Sequence, residues 1–156
     1  MLIGYKNVFR SMIESGRKDI TFRKRRNVVP KYLETVREYT GLRTKHSRII
    51  TERVLRGIFL VKIMENQIVL YATEVGPRAP ELDHWQAFED DTRRMPEFAG
   101  KLMDEKAFLE ALAYRDGFPS WNVLYRWHRL NDTADKIIWL VWLGLNAPER
   151  KEGVHA

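Results

Sequence analysis

The chain has 156 residues, 44% hydrophobic and 31% charged, with no cysteine and a net charge of +6. This composition excludes wholesale disorder, disulfide staples and thiolate metal sites, and the length fits one domain. The charge is uneven: residues 1–63 hold 16 Lys/Arg against 5 Asp/Glu, and residues 64–156 hold 11 against 16. A basic half of this kind predicts an oriented field whose natural partner is a polyanion, nucleic acid above all, the plainer alternative being that the basic and acidic halves attract each other within one fold. The first residues carry no signal-peptide pattern. The apolar run Ile137 to Leu145 is about half of the ~20 residues that a membrane helix needs. A cytoplasmic protein with no membrane contact is expected.

In chain order, Val8, Phe9, Met12 and Ile13 predict an apolar helical face over residues 5–15, stopped by Gly16. From Asp19 to Arg23 the residues alternate, Ile20 and Phe22 on one side and Thr21 and Arg23 on the other, as in a half-buried strand. Lys24, Arg25 and Arg26 extend it as a solvated run. Tyr32 to Tyr39 suggests a further strand after Pro30. Val54 to Ile63 and Gln67 to Ala72 read as a hairpin about a turn at Met64–Asn66. Close-set strands favour a small barrel or curled sheet. Residues 74–103, with three prolines and no clean period, read as a long loop or lid with a short helical piece near Trp85–Phe88. Asp104 and Ser120 are expected to cap two helices, Lys136 to Leu143 to form a buried strand, and residues 147–156 a polar tail.

No glycine-rich phosphate loop, nucleophile elbow or paired-histidine helix is present, so no cofactor or metal is implied. His84 and His128 sit apart beside tryptophans and read as structural. The five tryptophans read first as core residues, with Trp85 in the loop region the one that could instead touch a ligand. Chemistry points instead to Lys18, Thr21 and Arg23. Thr21 and Arg23 share a strand face, and Lys18 at the helix–strand junction can reach it. A lysine desolvated among cations has a lowered pKa and can act as a base, and a threonine beside it as a nucleophile. The plainer alternative is a strand threonine between solvated charges.

Three segments carry a resemblance. Gly16-x-Lys18-x-x-Thr21-x-Arg23 resembles the G-x-K-x-x-E-x-R signature of the ASCH family, a branch of the PUA-like fold, with Thr21 in place of the glutamate. Tyr39-Thr40-Gly41-Leu42-Arg43-Thr44-Lys45 and Ala113-Tyr114-Arg115-Asp116-Gly117-Phe118-Pro119-Ser120-Trp121 are similar to segments of longer phage and prophage ASCH-like proteins, in the same order. The resemblance implies an α+β fold, a small PUA-like β-barrel with helices packed around it. One domain over residues 1–146 would contain the 74–103 insertion. It implies a partner, RNA or a modified nucleoside. It also implies a catalytic set of Lys18, Thr21 and, as the downstream carboxylate, Asp116, with hydrolysis of an N4-acylated cytidine as the expected reaction. A ribonuclease and a binding module without turnover remain alternatives. Arg23, Arg43 and Lys45 are expected to bind phosphate or base, and Lys24, Arg25 and Arg26 to add unspecific attraction.

Overall fold

The computed structural model describes residues 1–77, 83–98 and 104–144. The strands are β1 (Leu2–Tyr5), β2 (Ile20–Arg23), β3 (Thr35–Thr40), β4 (Arg48–Met64), β5 (Gln67–Val75) and β6 (Ile137–Gly144). The helices are α1 (Arg10–Glu14), α2 (His84–Arg93), α3 (Glu105–Arg115) and α4 (Trp121–Leu130), with short 3-10 turns at Asn7–Phe9 and Pro96–Phe98. The fold is α+β, a six-stranded mixed sheet in the order β1-β3-β4-β6-β2, with β5 also on β4. Among the described residues, only β1 and β3 run parallel.

The 17 residues of β4 organise the sheet. One edge pairs first with β3 and then, further along, with β5, while the other edge pairs with β6. Register shifts at Leu55/Gly57, Ile58/Phe59 and Leu60/Val61 bend it along the way. The alternation of β6 sorts its apolar residues into two cores. Ile138, Leu140 and Trp142 face the cluster covered by α2, α3 and α4, built on Phe59, Phe88, Leu112 and Leu124. Trp139, Val141 and Leu143 face a second cluster with Ile3, Val36, Leu55 and Ile13 of α1. A strand buried on both faces reads as a continuous apolar run, which is why residues 137–144 contain no charge.

Both predicted caps are present: Asp104 accepts from Ala107 N at 2.8 Å and Ser120 from Val123 N at 3.2 Å. The β4–β5 hairpin turns at Glu65–Asn66. Three expectations are corrected. The first helix is only five residues long and buries Ile13 alone, because β1 takes the chain up to Tyr5 and Val8 points into solvent. Residues 84–93 form a ten-residue helix whose Phe88 is fully buried, so this part of the 74–103 segment is anchored in the core. Residues 78–82, 99–103 and the predicted tail lie outside the described residues. The sheet does not close into a barrel. Its outer strands, β1 and β2, share no ladder, and arginine side chains cross the seam instead. Arg23 Nη2 donates to Gly4 O at 2.8 Å and Arg26 Nη1 to Leu2 O at 3.0 Å. These are β1 carbonyls that a closing strand would otherwise bond.

Candidate functional site

At the unclosed seam lies a cavity of about 410 Å³. Lys18 forms part of its floor. The residue is held at both backbone ends: its N–H donates to Met12 O at 2.9 Å and its carbonyl accepts from Arg53 Nη1 at 2.8 Å. Arg53 is itself clamped by a two-point fork on Glu38, Nη2 to Oε2 at 2.7 Å and Nε to Oε1. Both residues are buried. Such a fork fixes a guanidinium in one plane, so the turn carrying Lys18 is rigid.

The Lys18 ammonium is 2% exposed and pairs with Asp116, equally buried at the end of α3. Its three protons meet three acceptors: Asp116 Oδ1, Asp116 O at 2.8 Å and Ile20 O at 3.1 Å. Burial pushes the Lys18 pKa down, against the opposing pull of Asp116, and pushes the Asp116 carboxyl up, against the pull of Lys18. Both shifts move the pair toward its neutral form, in which the proton sits on the carboxylate. The ammonium has no proton left for Thr21, so any base role for Lys18 begins with transfer to Asp116.

Thr21 and Arg23 share a face, as the alternation predicts. Arg23 Nε donates to Thr21 Oγ1 at 2.9 Å, leaving the hydroxyl proton uncommitted to the guanidinium. The Arg23 carbon Cζ lies 4.9 Å from the centre of the Tyr5 ring. Opposite stands His128 of α4, 2% exposed, with Nδ1 2.6 Å from Thr133 Oγ1. Burial, and then the charges of Lys18 and Arg23, lower its pKa to about 4, so it is neutral at ordinary pH. Among the described residues Nε2 has no hydrogen-bond partner. Tyr5, Phe9, Phe118 and Trp127 supply aromatic walls, and Gly41 and Leu42 line one side. Gly117, at φ 86°, makes the sharp turn after Asp116 and lets Phe9 approach: a Cβ there would stand 3.0 Å from Phe9 Cδ1.

The structure therefore brings Lys18, Thr21, Arg23 and Asp116 to one cavity. Lys24, Arg25 and Arg26 are exposed and line an adjoining hollow. Arg43 and Lys45 also stand exposed on the loop after β3, and the cavity wall takes their neighbours Gly41 and Leu42 rather than them. Trp85 packs against Phe59 and Phe88 in the core, and Trp127 is the tryptophan that faces the cavity. Tyr5, Glu38, Arg53 and His128 were not among the expected site residues. Two of them left a signal. Glu38 occupies the same strand face as Val36 and Thr40, both buried, and a carboxylate at such a position needs a partner. His128 follows Trp121, Leu124 and Tyr125 on the buried stripe of α4.

Aromatic walls around a few fixed donors and acceptors suit a flat, polar-edged ring. Among the described residues no group of three His, Asp or Glu gathers to hold a metal ion, and no helix is long and apolar enough to cross a membrane. No family model matches the chain, and no curated protein or solved structure matches it either.

Proposed function

We propose that the seam cavity binds the base of an RNA nucleotide or modified nucleoside, as the resemblance to ASCH domains of the PUA-like fold implies. One observation carries the reading: aromatic rings and fixed polar groups of opposite kind line the same cavity. Tyr5, Phe9 and Phe118 offer faces for stacking. The Arg23 guanidinium donates. Thr21 donates its free hydroxyl proton, and neutral His128 accepts or donates at Nε2 according to its tautomer. A base presents just such a mixed edge.

A hydrolytic reading on an N4-acylated cytidine is favoured by a specific observation. The Thr21 hydroxyl, its proton free, lines the same cavity as an ion pair whose two shifts favour proton exchange. In this mechanism the proton on Lys18 passes to Asp116, and the neutral amine takes the proton of Thr21 or of a water. The new oxygen nucleophile attacks the acyl carbon, the C–N bond breaks, and the exocyclic amine leaves with the proton returned by Lys18. If Thr21 is the nucleophile, water then releases the acid from its ester. Arg23 faces the developing oxyanion.

The test is incubation with N4-acetylcytidine, following both binding and release of acetate, for the wild type and Thr21→Val. Valine keeps the β-branched shape without the hydroxyl. Bound nucleoside and a rate lowered at least about 100-fold in the variant support the hydrolase. Binding with no acetate released by either protein leaves the recognition site and removes the hydrolase. No binding removes both.

A further inference from the structure

The base-site reading does not use the adjoining hollow. This second space, also about 410 Å³, shares Phe22, Arg23, Trp127 and His128 with the cavity and is otherwise lined by Lys24, Arg25, Arg26, Asn131 and Thr133. One wall thus separates an aromatic chamber from a cationic one. The cations are arranged rather than merely abundant. Arg23 is tied to Gly4 O and Arg26 to Leu2 O, two residues apart on the same edge of β1. Strand geometry sets those anchor points about 7 Å apart, a separation comparable with that of successive phosphates in an extended strand. Each guanidinium spends one N–H on its anchor and keeps others for a ligand.

Carboxylates stand nearby, Asp132 close enough to act on Lys24 and Glu34 beside a hollow that Arg26 also lines. Burial, and then the like charges of Arg23 and Arg43, pull the Arg26 pKa down. Like charges held this close attract an anion to the space between them. Arg43 lies on the loop after β3 and lines neither hollow, but its charge reaches Arg26. Trp127 is half-buried between the two hollows, with its ring 6.1 Å from Phe118 and 4.9 Å from His128.

We infer that the seam is a phosphate track, in which Arg23 and Arg26, pinned on β1, hold successive phosphates of a single-stranded polynucleotide. Lys24 and Arg25 flank the track, and Trp127 stacks the base beside the one in the cavity. The ligand of the cavity is then a nucleotide within a strand and not a free nucleoside. This inference rests on the base-site reading for the nucleotide that enters the cavity, and on the arginine row for the rest.

The experiment compares three probes by titration across salt concentrations: free N4-acetylcytidine, a seven-residue single-stranded RNA with that nucleoside at its centre, and the DNA counterpart. The proteins are the wild type, the exposed triple variant Lys24→Gln/Arg25→Gln/Arg26→Gln, and Lys106→Gln, which removes a charge on α3 outside both hollows. Wild type should bind the oligonucleotides at least ten-fold more tightly than the nucleoside, with affinity falling as salt rises. The triple variant should lose that gain and flatten the salt slope by roughly 0.7 for each phosphate contact removed. It should bind free nucleoside as the wild type does, and Lys106→Gln should resemble the wild type throughout. The RNA and DNA arms identify which strand the track prefers. Equal affinity for nucleoside and oligonucleotide overturns the track, as does a triple variant that keeps the gain or a Lys106→Gln protein that loses it equally. If the wild type ignores free nucleoside yet binds oligonucleotide through the three residues, the track stands and the base site falls.

Discussion

Two consecutive residues at the end of α3 make two buried ion clusters with opposite characters. Arg115 forks onto Asp19, with Nε to Oδ1 and Nη2 to Oδ2 both at 2.8 Å, and also donates to Asp91 at 3.0 Å and Thr92 at 2.6 Å. Its carboxylates are 27% and 39% exposed and border solvent. Asp116 instead meets one lysine, and both are almost wholly buried beside a cavity. The first cluster joins the residue before β2 to α2 and α3, with all three guanidinium nitrogens of Arg115 hydrogen-bonded at a wet boundary. The second places a shifted acid and a shifted base where a ligand can enter. A buried charge is a fastener when its hydrogen-bonding capacity is spent on protein at the rim, and a candidate tool when it faces an enclosed space.

The difference is sharpest in stability. Lys18→Met or Asp116→Leu alone should cost about 3–5 kcal/mol, because each strands an uncompensated buried charge. The double variant should lose less than either single one. Urea unfolding of the four proteins checks this, and a double variant no better than the singles would show that the pair is not isolated in an apolar setting. Arg115→Met should cost less, about 2 kcal/mol, since water can reach the carboxylates it leaves behind.

Next in size is a pH effect on the cavity side alone. The folded state resists protonating His128 until about pH 4, whereas the unfolded chain takes that proton near pH 6.5. Stability from this group is complete above pH 6.5 and drains away as pH falls toward 4, by up to about 3 kcal/mol. Unfolding measured at pH 7 and pH 4.5 should show a smaller pH difference in His128→Gln than in the wild type. An unchanged difference would put the histidine in contact with water after all.

The smallest expected effect concerns shape rather than charge. Gly117→Ala forces a side chain into a left-handed turn and sets its Cβ 2.9 Å from Met12 Sδ and 3.0 Å from Phe9 Cδ1. A loss of about 1–2 kcal/mol is expected, with weaker nucleoside binding because Phe9 must give way. Full affinity in this variant would remove Phe9 from the walls of the proposed base site.

How much of this was readable beforehand depends on the range of the interaction. Thr21 and Arg23 were placed on one face by strand alternation alone, and they are hydrogen-bonded to one another. The helix caps were equally local. Asp116 was reached only through resemblance of a segment, because its bond to Lys18 joins positions 98 residues apart and no periodicity encodes such a contact. The open seam was missed for a related reason. Strand patterns show which faces are buried, but not which edges find a partner, and here side chains from Arg23 and Arg26 take the edge of β1. Trp85 packs as the tryptophans were first read to do, while Trp127 went unremarked because the pattern of α4 does not show which side of its buried stripe borders a cavity.

The position of β2 has a consequence for the order of assembly. This short strand, bearing Thr21 and Arg23, has a single ladder neighbour, β6, the last strand of the sheet. During synthesis its residues emerge early, yet they have nothing to pair with until the chain through Gly144 is available. Contacts closed over such distances form late, after the loop entropy has been paid. A chain stopped before Ile137 would therefore contain every residue of the cavity and still not assemble it.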